Sequence, residues 1–169
     1  MDLLDRLLGH DKATTDELLA RCAELSPEQW NQEFDISWKS VHALFGHLIY
    51  NERTWTELMA GRDASSVDVG WTWTLDDLIS RHEAAYADFS ALARELRDAN
   101  RWDDVFIDTL DDPPTEKSFG GGVLHVILHN MHHRAELLHM LSRLGLDDLP
   151  PEDLMGWDMD RTMAMKGVV

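Results

Sequence analysis

The sequence predicts an all-α protein, a four-helix bundle with a long crossover between helices 3 and 4. Four segments carry apolar residues three and four positions apart, which is the period of a helix with one buried face. Residues 101–119, between the third and fourth of these segments, lose that period and contain the turn sequence Asp-Asp-Pro-Pro. Helix bundles accommodate one long crossover among short connections. The 169 residues suffice for one ordinary core, so we predict a single domain over residues 1–169.

The first predicted helix covers residues 2–25. Its buried face is formed by residues at helical spacing, namely Leu4, Leu7, Leu8, Asp11, Leu18, Cys22 and Leu25. No evident base lies beside Cys22 in the sequence, so we interpret it as a core residue rather than a reactive thiol. His10 is predicted to be partly exposed. Residues 26–29 (Ser-Pro-Glu-Gln) combine a cap, a proline and a capping-box glutamine, which predicts a short helical turn carrying Trp30.

The second predicted helix begins after Ser37 or Ser40, since either serine is a suitable N-cap, and it runs to about Ala60. Two histidines, His42 and His47, lie on opposite sides of its apolar stripe. Periodicity does not choose between them as functional residues.

Glu52 lies in the middle of that apolar stripe. A carboxylate there needs a partner, because an unpaired buried charge is expensive. Arg134 lies close to the apolar face of the fourth predicted helix, so we predict a Glu52–Arg134 ion pair. The alternative is that Glu52 lies at a helix end near water.

The third predicted helix is capped by Thr74 and has two aspartates in its first turn, where they favour the helix dipole. His82 is a single histidine on its apolar stripe, which favours packing over metal ligation. The segment 101–119 is predicted to form an irregular hairpin. The glycines 120–122 are predicted to release the chain into the fourth helix. After the prolines 150–151, we expect at most a short helix.

The fourth predicted helix, from Val123 to Leu144, holds four histidines within nine residues: His125, His129, His132 and His133. Residues four apart on a helix are rotated by about 40° and separated by about 6 Å of rise. His125, His129 and His133 therefore share one side, and the pair 129 and 133 is spaced to bind one ion with two imidazoles. A third ligand must come from another helix.

A second apolar stripe on this helix consists of Leu124, Leu128, Met131, Ala135 and Leu138. A helix that is apolar over much of its circumference is buried on more than one side. Packing within one bundle and a homodimer seam both account for the stripe, and the residues do not choose between them.

Fifteen basic and 32 acidic residues give a formal net charge of −17. Such a charge opposes binding to phosphate backbones, so we expect no nucleic-acid partner. The chain has no run of 18 apolar residues and lacks the basic start of a secretory signal, so we expect no membrane partner. Because Cys22 is the only cysteine, no intramolecular disulfide can form, and we predict a cytoplasmic location.

Four passages of the chain resemble the DinB-like superfamily of bacterial four-helix-bundle proteins, whose members include mycothiol- and bacillithiol-dependent transferases and maleylpyruvate isomerase. They are residues 25–30 (Leu-Ser-Pro-Glu-Gln-Trp), residues 40–61 with His47, Glu52 and Trp55, residues 125–136 with the spacing H-x-x-x-H-x-x-H-H-R, and residues 150–154 (Pro-Pro-Glu-Asp-Leu). The family pattern continues with Gly and Gln where this chain has Ala135 and Glu136. The resemblance therefore assigns no role to Glu136, and simple solvation of that carboxylate stays open.

By this resemblance the ligands of one divalent transition metal are His47, His129 and His133. It places His125 beside them as an outer neighbour and His132 on the surface. Glu52 and Arg134 are expected to support the site by holding the helices in orientation. Three imidazoles leave a coordination position open, as catalytic sites do, and they suit zinc, nickel or iron.

The resemblance implies a metal-dependent enzyme that acts on a small-molecule substrate. The chemistry it suggests is thiol transfer, with a low-molecular-weight thiol as cosubstrate, or a related isomerisation or hydrolysis. The alternative is a non-catalytic metal-binding or stress-associated protein with the same helices and the same site.

Overall fold

A computed structural model describes residues 1–70, 72–150 and 153–165 of the chain. Its elements are the helices α1 (Leu3–Arg21), α2 (Pro27–Trp30), α3 (Val41–Met59), α4 (Leu75–Asp98), α5 (Phe119–Arg143) and α6 (Leu154–Met165), the strands β1 (Val105–Asp108) and β2 (Thr115–Ser118), and a 3₁₀ turn at Cys22–Glu24. In the core, α1 and α3 each lie against both α4 and α5. The prediction of a mostly helical fold is confirmed, and the segment between α4 and α5 forms an antiparallel two-stranded sheet.

Polar caps start the helices where the sequence predicts them. Thr74 Oγ1 accepts the backbone N–H of Asp77, and the Asp77 carboxylate accepts the N–H of Thr74 in return. Of the two candidate caps of α3, Ser40 is the one used, and its Oγ accepts the N–H of Ala43 at 3.2 Å. Helix α2 begins with the predicted capping box at Ser26. Local sequence therefore determines these three starting points.

The glycines 120–122 lie inside α5, so the prediction that they lead into the helix from outside is wrong. Ser118 caps α5 by accepting the N–H of Gly121 at 3.1 Å, which starts the helix before the glycines. A Cβ atom at Gly122 would lie 2.8 Å from Sδ of Met59 on α3. Because glycine has no side chain, α5 can pack closely against α3 at this point. The glycines therefore serve helix packing and do not form a flexible linker.

Polar side chains are buried together in the core where α1 meets α5. Arg134 forms an ion pair with Asp11, and both side chains are 1% exposed. Asn130 donates a hydrogen bond to the same carboxylate at 3.1 Å. The predicted Glu52–Arg134 ion pair is not formed, because the carboxylate that pairs with the guanidinium comes from Asp11 on α1 instead.

Glu52 is fully buried, so the alternative of a helix end near water is also wrong. Neither of its carboxylate oxygens has a hydrogen-bond partner within the described part of the chain, and Oε2 lies 3.9 Å from Nδ1 of His82. Burial raises the pKa of Glu52 well above its usual value, and the charge of Asp11 adds to that rise, whereas Arg134 and Lys12 oppose it. The folded protein therefore favours the protonated form of this carboxyl group.

We expect Glu52→Gln to be more stable than the natural protein at pH 8. Because the pKa of Glu52 is raised on folding, the native state holds a proton that the unfolded state releases, and stability falls as pH rises above the unfolded pKa. The variant has no carboxyl group to titrate, so its free energy of unfolding does not fall in this way. Each unit by which folding raises the pKa corresponds to about 1.4 kcal/mol of unfolding free energy. Urea unfolding at pH 8 and pH 4 measures the effect, which should vanish at pH 4. Glu83→Gln on the exposed face of α4 is the control, and a less stable Glu52→Gln at pH 8 would contradict the account.

Two other histidines are buried by packing. His82 is fully buried, with Nε2 3.3 Å from Asp16, as its position on an apolar stripe predicts. His10 is buried as well, so the prediction of partial exposure is wrong. The reason lies in α6, whose Trp157 meets the His10 ring edge-on at 5.8 Å between centroids. Cys22 is buried as predicted, and burial raises the pKa of its thiol.

Apolar surface remains on the outer side of α5. Leu124, Leu128 and Met131 are 52%, 55% and 46% exposed, so the described residues leave these three members of the second apolar stripe uncovered, whereas Leu138 packs partly against the core. The alternative of a homodimer seam stays a prediction.

Within the described ranges, no helix combines the length and the apolar composition needed to cross a bilayer.

Candidate metal centre

Three histidines from two helices meet where α3 packs against α5. His47 comes from α3, and His129 and His133 lie one turn apart on α5. Nε2 of His129 lies 3.0 Å from Nε2 of His47 and 3.1 Å from Nε2 of His133. One nitrogen from each ring thus lies within 4.8 Å of the other two. The structure therefore brings together the three residues that the family resemblance selects, and it leaves His42 elsewhere, with Nε2 2.8 Å from the carbonyl oxygen of Trp73.

The spacing of the three rings fits a divalent transition metal. Imidazole nitrogens bind zinc at about 2.0–2.1 Å, which separates two ligands of a tetrahedral ion by about 3.3 Å. The Nε2 separations of 3.0 and 3.1 Å come close to that value. Three nitrogen lone pairs gain little from facing one another, whereas one cation between them would satisfy all three.

Glu136 determines which nitrogen of His133 faces the centre with a lone pair. Glu136 Oε2 lies 2.7 Å from Nδ1 of His133, so Nδ1–H donates to the carboxylate and Nε2 stays unprotonated. Ser37 Oγ in turn donates to Glu136 at 3.0 Å. A carboxylate behind a metal-binding histidine commonly orients the ring and raises its basicity.

Two residues that support the centre, Glu136 and Trp38, were not predicted as such from the sequence. Simple solvation of Glu136, which was left open, is wrong because its carboxylate is mostly buried against His133. Its position three residues after a candidate ligand was a usable signal, since residues three apart on a helix are neighbours. Trp38 stacks on His47 with ring centroids 4.0 Å apart and planes at 17°. Trp38 lies in the loop before α3, so it is not part of a periodic apolar pattern from which its position could have been predicted.

Burial keeps the three imidazoles neutral at physiological pH. It lowers the pKa of His47 to about 4 and the pKa of His129 to about 3, and the neighbouring His133 adds to both shifts. Burial also lowers the pKa of His133, although the Glu136 carboxylate opposes the change. Neutral imidazole is the metal-binding form, so protons compete with a metal only in acidic solution.

The other predicted site residues surround the centre at different distances. His125 is an outer neighbour, as predicted, with its ring 5.5 Å from His129. His132 is on the surface, with its side chain 69% exposed. It belongs to a second group that could hold a metal, formed with His133 and Glu136.

Glu52 and Arg134, which were expected to support the site, lie in the core. Glu52 is beside His82 on α4, and Arg134 is paired with Asp11 on α1. Arg134 directly follows His133 on α5, so its ion pair ties that helix to α1. The role of both residues in holding helix orientation stays a prediction.

We expect Glu136→Ala to weaken metal binding about 10- to 100-fold, the usual effect of removing a carboxylate behind a histidine ligand. The ring of His133 loses the acceptor of its Nδ1–H and with it its fixed orientation. Calorimetric titration with Zn²⁺ measures the affinity. Glu136→Gln keeps an acceptor oxygen and should lose less, and Glu83→Ala is the remote control. An affinity unchanged in Glu136→Ala would show that this carboxylate does not support the centre.

The fold and the site together define a mostly helical protein with a three-histidine cluster that can hold one divalent ion. The family model of the DinB superfamily matches residues 10–137, and the chain therefore belongs to this superfamily.

A solved structure supports the same assignment at the level of the fold. The chain is similar to the crystal structure of a DinB-like protein, YjoA, from Bacillus subtilis, with a TM-score of 0.63 and 14% sequence identity. The similarity covers 87% of this chain and 96% of the other. The search of curated proteins found no match.

Proposed function

We propose that this protein is a metal-dependent enzyme that transfers a low-molecular-weight thiol to a small electrophile. The observation that carries the proposal is the convergence of three neutral imidazoles, from His47, His129 and His133. Among the described residues, no fourth His, Cys, Asp or Glu belongs to this group of potential ligands. A centre with three protein ligands keeps a position open for a reactant, as catalytic sites do.

The residues of the centre would each have a defined task. His47, His129 and His133 would hold zinc, nickel or iron, the ions that imidazole ligands suit. Such an ion would supply Lewis acidity, which lowers the pKa of a thiol or a water towards neutrality. Glu136 keeps the proton of His133 on Nδ1, and Trp38 covers one face of His47 and shields that ring from water.

The proposed reaction is a substitution at carbon that needs no oxidant or reductant. The thiol loses its proton to solvent, and its sulfur attacks a carbon of the electrophile. A carbon–sulfur bond forms, and the bond to the leaving group breaks with its electron pair. The products are a thioether, the leaving group with its electron pair (chloride for the test electrophiles) and the proton released to solvent. The cytoplasm, where small thiols stay reduced, is the location predicted for this chemistry.

A thiol-plus-electrophile assay tests the proposal. The Zn²⁺-, Ni²⁺- or Fe²⁺-loaded protein is mixed with monochlorobimane or 1-chloro-2,4-dinitrobenzene and with cysteine, glutathione, bacillithiol or mycothiol. We expect a conjugation rate that depends on both metal and thiol, that His129→Ala abolishes and that His132→Ala retains. Metal uptake without turnover across the panel would contradict the proposal and favour a non-catalytic metal-binding or stress-associated protein.

We also propose that the second apolar stripe of α5 pairs with a second copy of the chain. The support is the exposure of Leu124, Leu128 and Met131 on consecutive turns of one helix. Light scattering should give the mass of a dimer for the natural protein and of a monomer for Leu128→Lys. A monomeric natural protein would contradict this part of the proposal.

A further inference from the structure

A cavity of about 480 Å³ lies beside the three-histidine centre, between α3, the end of β2 and the first turns of α5. Its lining consists of Trp55, Lys117, Ser118, Gly121, Gly122 and His125. The ring of His125 is 4.8 Å from the ring of Trp55. The two glycines contribute only backbone atoms to the wall of the cavity.

The cavity and the centre follow one another along the same two helices. His125 is one turn before His129 on α5, and their rings are 5.5 Å apart. Trp55 is eight residues after His47 on α3, which places it about two turns further along. His125 therefore lines the cavity and also lies next to His129, which places the cavity beside the three-histidine centre.

We propose that this cavity binds the non-reacting part of the substrate and that it accepts an uncharged aromatic group. The inference rests on the proposed function in one respect, namely that the reacting end of the substrate is bound at the metal. The indole of Trp55 and the ring of His125 contact each other and both line the cavity, so a ligand ring would pack against this pair of aromatic side chains.

The charges around the cavity oppose an acidic group. Lys117 is the one ammonium in the lining, and it is already paired with two carboxylates, from Asp108 and Asp111. The three groups together carry a formal charge of −1, since one cation faces two anions. A carboxylate on the ligand would meet repulsion there rather than a free cation.

The N-terminus of α5 offers no anion site either. The N–H of Phe119 donates to the carbonyl oxygen of Asp104, and the N–H of Gly120 donates to that of Trp102, both at 2.9 Å. The N–H of Gly121 donates to Oγ of the capping Ser118. These first donors of the helix are satisfied within the chain, so the helix end cannot bind an acid group by itself.

Three hydroxamates of graded tail test the inference on the Zn²⁺-loaded protein. Propanohydroxamate probes the metal alone, 3-phenylpropanohydroxamate adds a neutral ring, and its 4-carboxy derivative adds a charge to that ring. We expect the neutral ring to tighten binding about 10- to 100-fold, as burial of a phenyl group does, and the carboxylate to remove this gain. Calorimetry measures the three dissociation constants. Equal constants, or tightest binding of the acid, would overturn the inference.

Variants at Trp55 assign the gain to this cavity. Trp55→Ala should lose the preference for the phenyl tail and bind propanohydroxamate unchanged, and Trp55→Phe should keep part of the preference. Trp157→Ala, which removes a tryptophan from α6, is the matched control and should behave as the natural protein. A phenyl preference that persists in Trp55→Ala would place the ring elsewhere.

A metal-free measurement separates this inference from the proposed function. In ¹⁵N-labelled protein without metal, the indole N–H signal of Trp55, identified by its loss in Trp55→Phe, is followed during titration with benzyl alcohol or benzoate. We expect a saturable shift with benzyl alcohol and a much smaller one with benzoate. No saturable shift with benzyl alcohol would overturn the inference even if metal binds, whereas absent metal uptake with a normal shift would defeat only the proposed function.

Discussion

Purified His133→Ala should contain almost no divalent metal, whereas the natural protein should contain about one ion per chain. The substitution removes one of the three converging nitrogens and also the ring that Glu136 orients. Two imidazoles on different helices hold a cation far less firmly than three. The metal content is measured by elemental analysis after dialysis against a weak chelator.

Loss of the metal should also remove the stabilisation that a bound ion gives to the folded protein. A ligand that binds only the native state stabilises it by about 2.7 kcal/mol at a hundredfold excess over its dissociation constant. Zinc should therefore raise the thermal midpoint of the natural protein and leave that of His133→Ala unchanged. His132→Ala, which changes the adjacent exposed ring, is the control and should retain both metal and the shift. Full metal content in His133→Ala would refute the ligand assignment.

Asp11→Ala should cause the largest loss of folding stability, about 3–5 kcal/mol, because it removes the carboxylate that faces the buried guanidinium of Arg134. The hydrogen bond from Asn130 is lost as well. Breaking an ion pair between two buried side chains is much more expensive than breaking one on the surface, where water solvates both charges. Urea unfolding at pH 7 measures the difference.

A surface ion pair provides the matched control for that experiment. Asp104 pairs with Arg101 through side chains that are both about half exposed, and Asp104→Ala should cost less than about 1 kcal/mol. A cost in Asp11→Ala no larger than in Asp104→Ala would show that the buried pair does not stabilise the fold.

Sequence alone predicts those parts of the fold that depend on local chemistry. Ser26 and Thr74 act as caps because their side chains bond to backbone groups only a few residues away. The partner of Arg134 could not be predicted in this way. Periodicity places Asp11 and Glu52 on buried faces, but the choice between them depends on how α1 and α3 are rotated against α5. That rotation is a property of the whole core.

The same limit applies to the candidate centre. Spacing alone identifies His129 and His133 as a pair on one side of α5, and it cannot decide between His42 and His47 as the third residue. The family resemblance selects His47, and the structure places that residue beside the pair. Trp38 could not be found because it reaches His47 from outside any periodic element.

X-ray absorption spectroscopy of the zinc-loaded natural protein tests the central claim most directly, because it counts the imidazoles bound to the ion. The account predicts three imidazole nitrogens at about 2.0–2.1 Å and at least one further light ligand from solvent, which a small thiol replaces with sulfur at about 2.3 Å. Two or fewer imidazoles, or a shell closed by a fourth protein ligand that no thiol can replace, would contradict it.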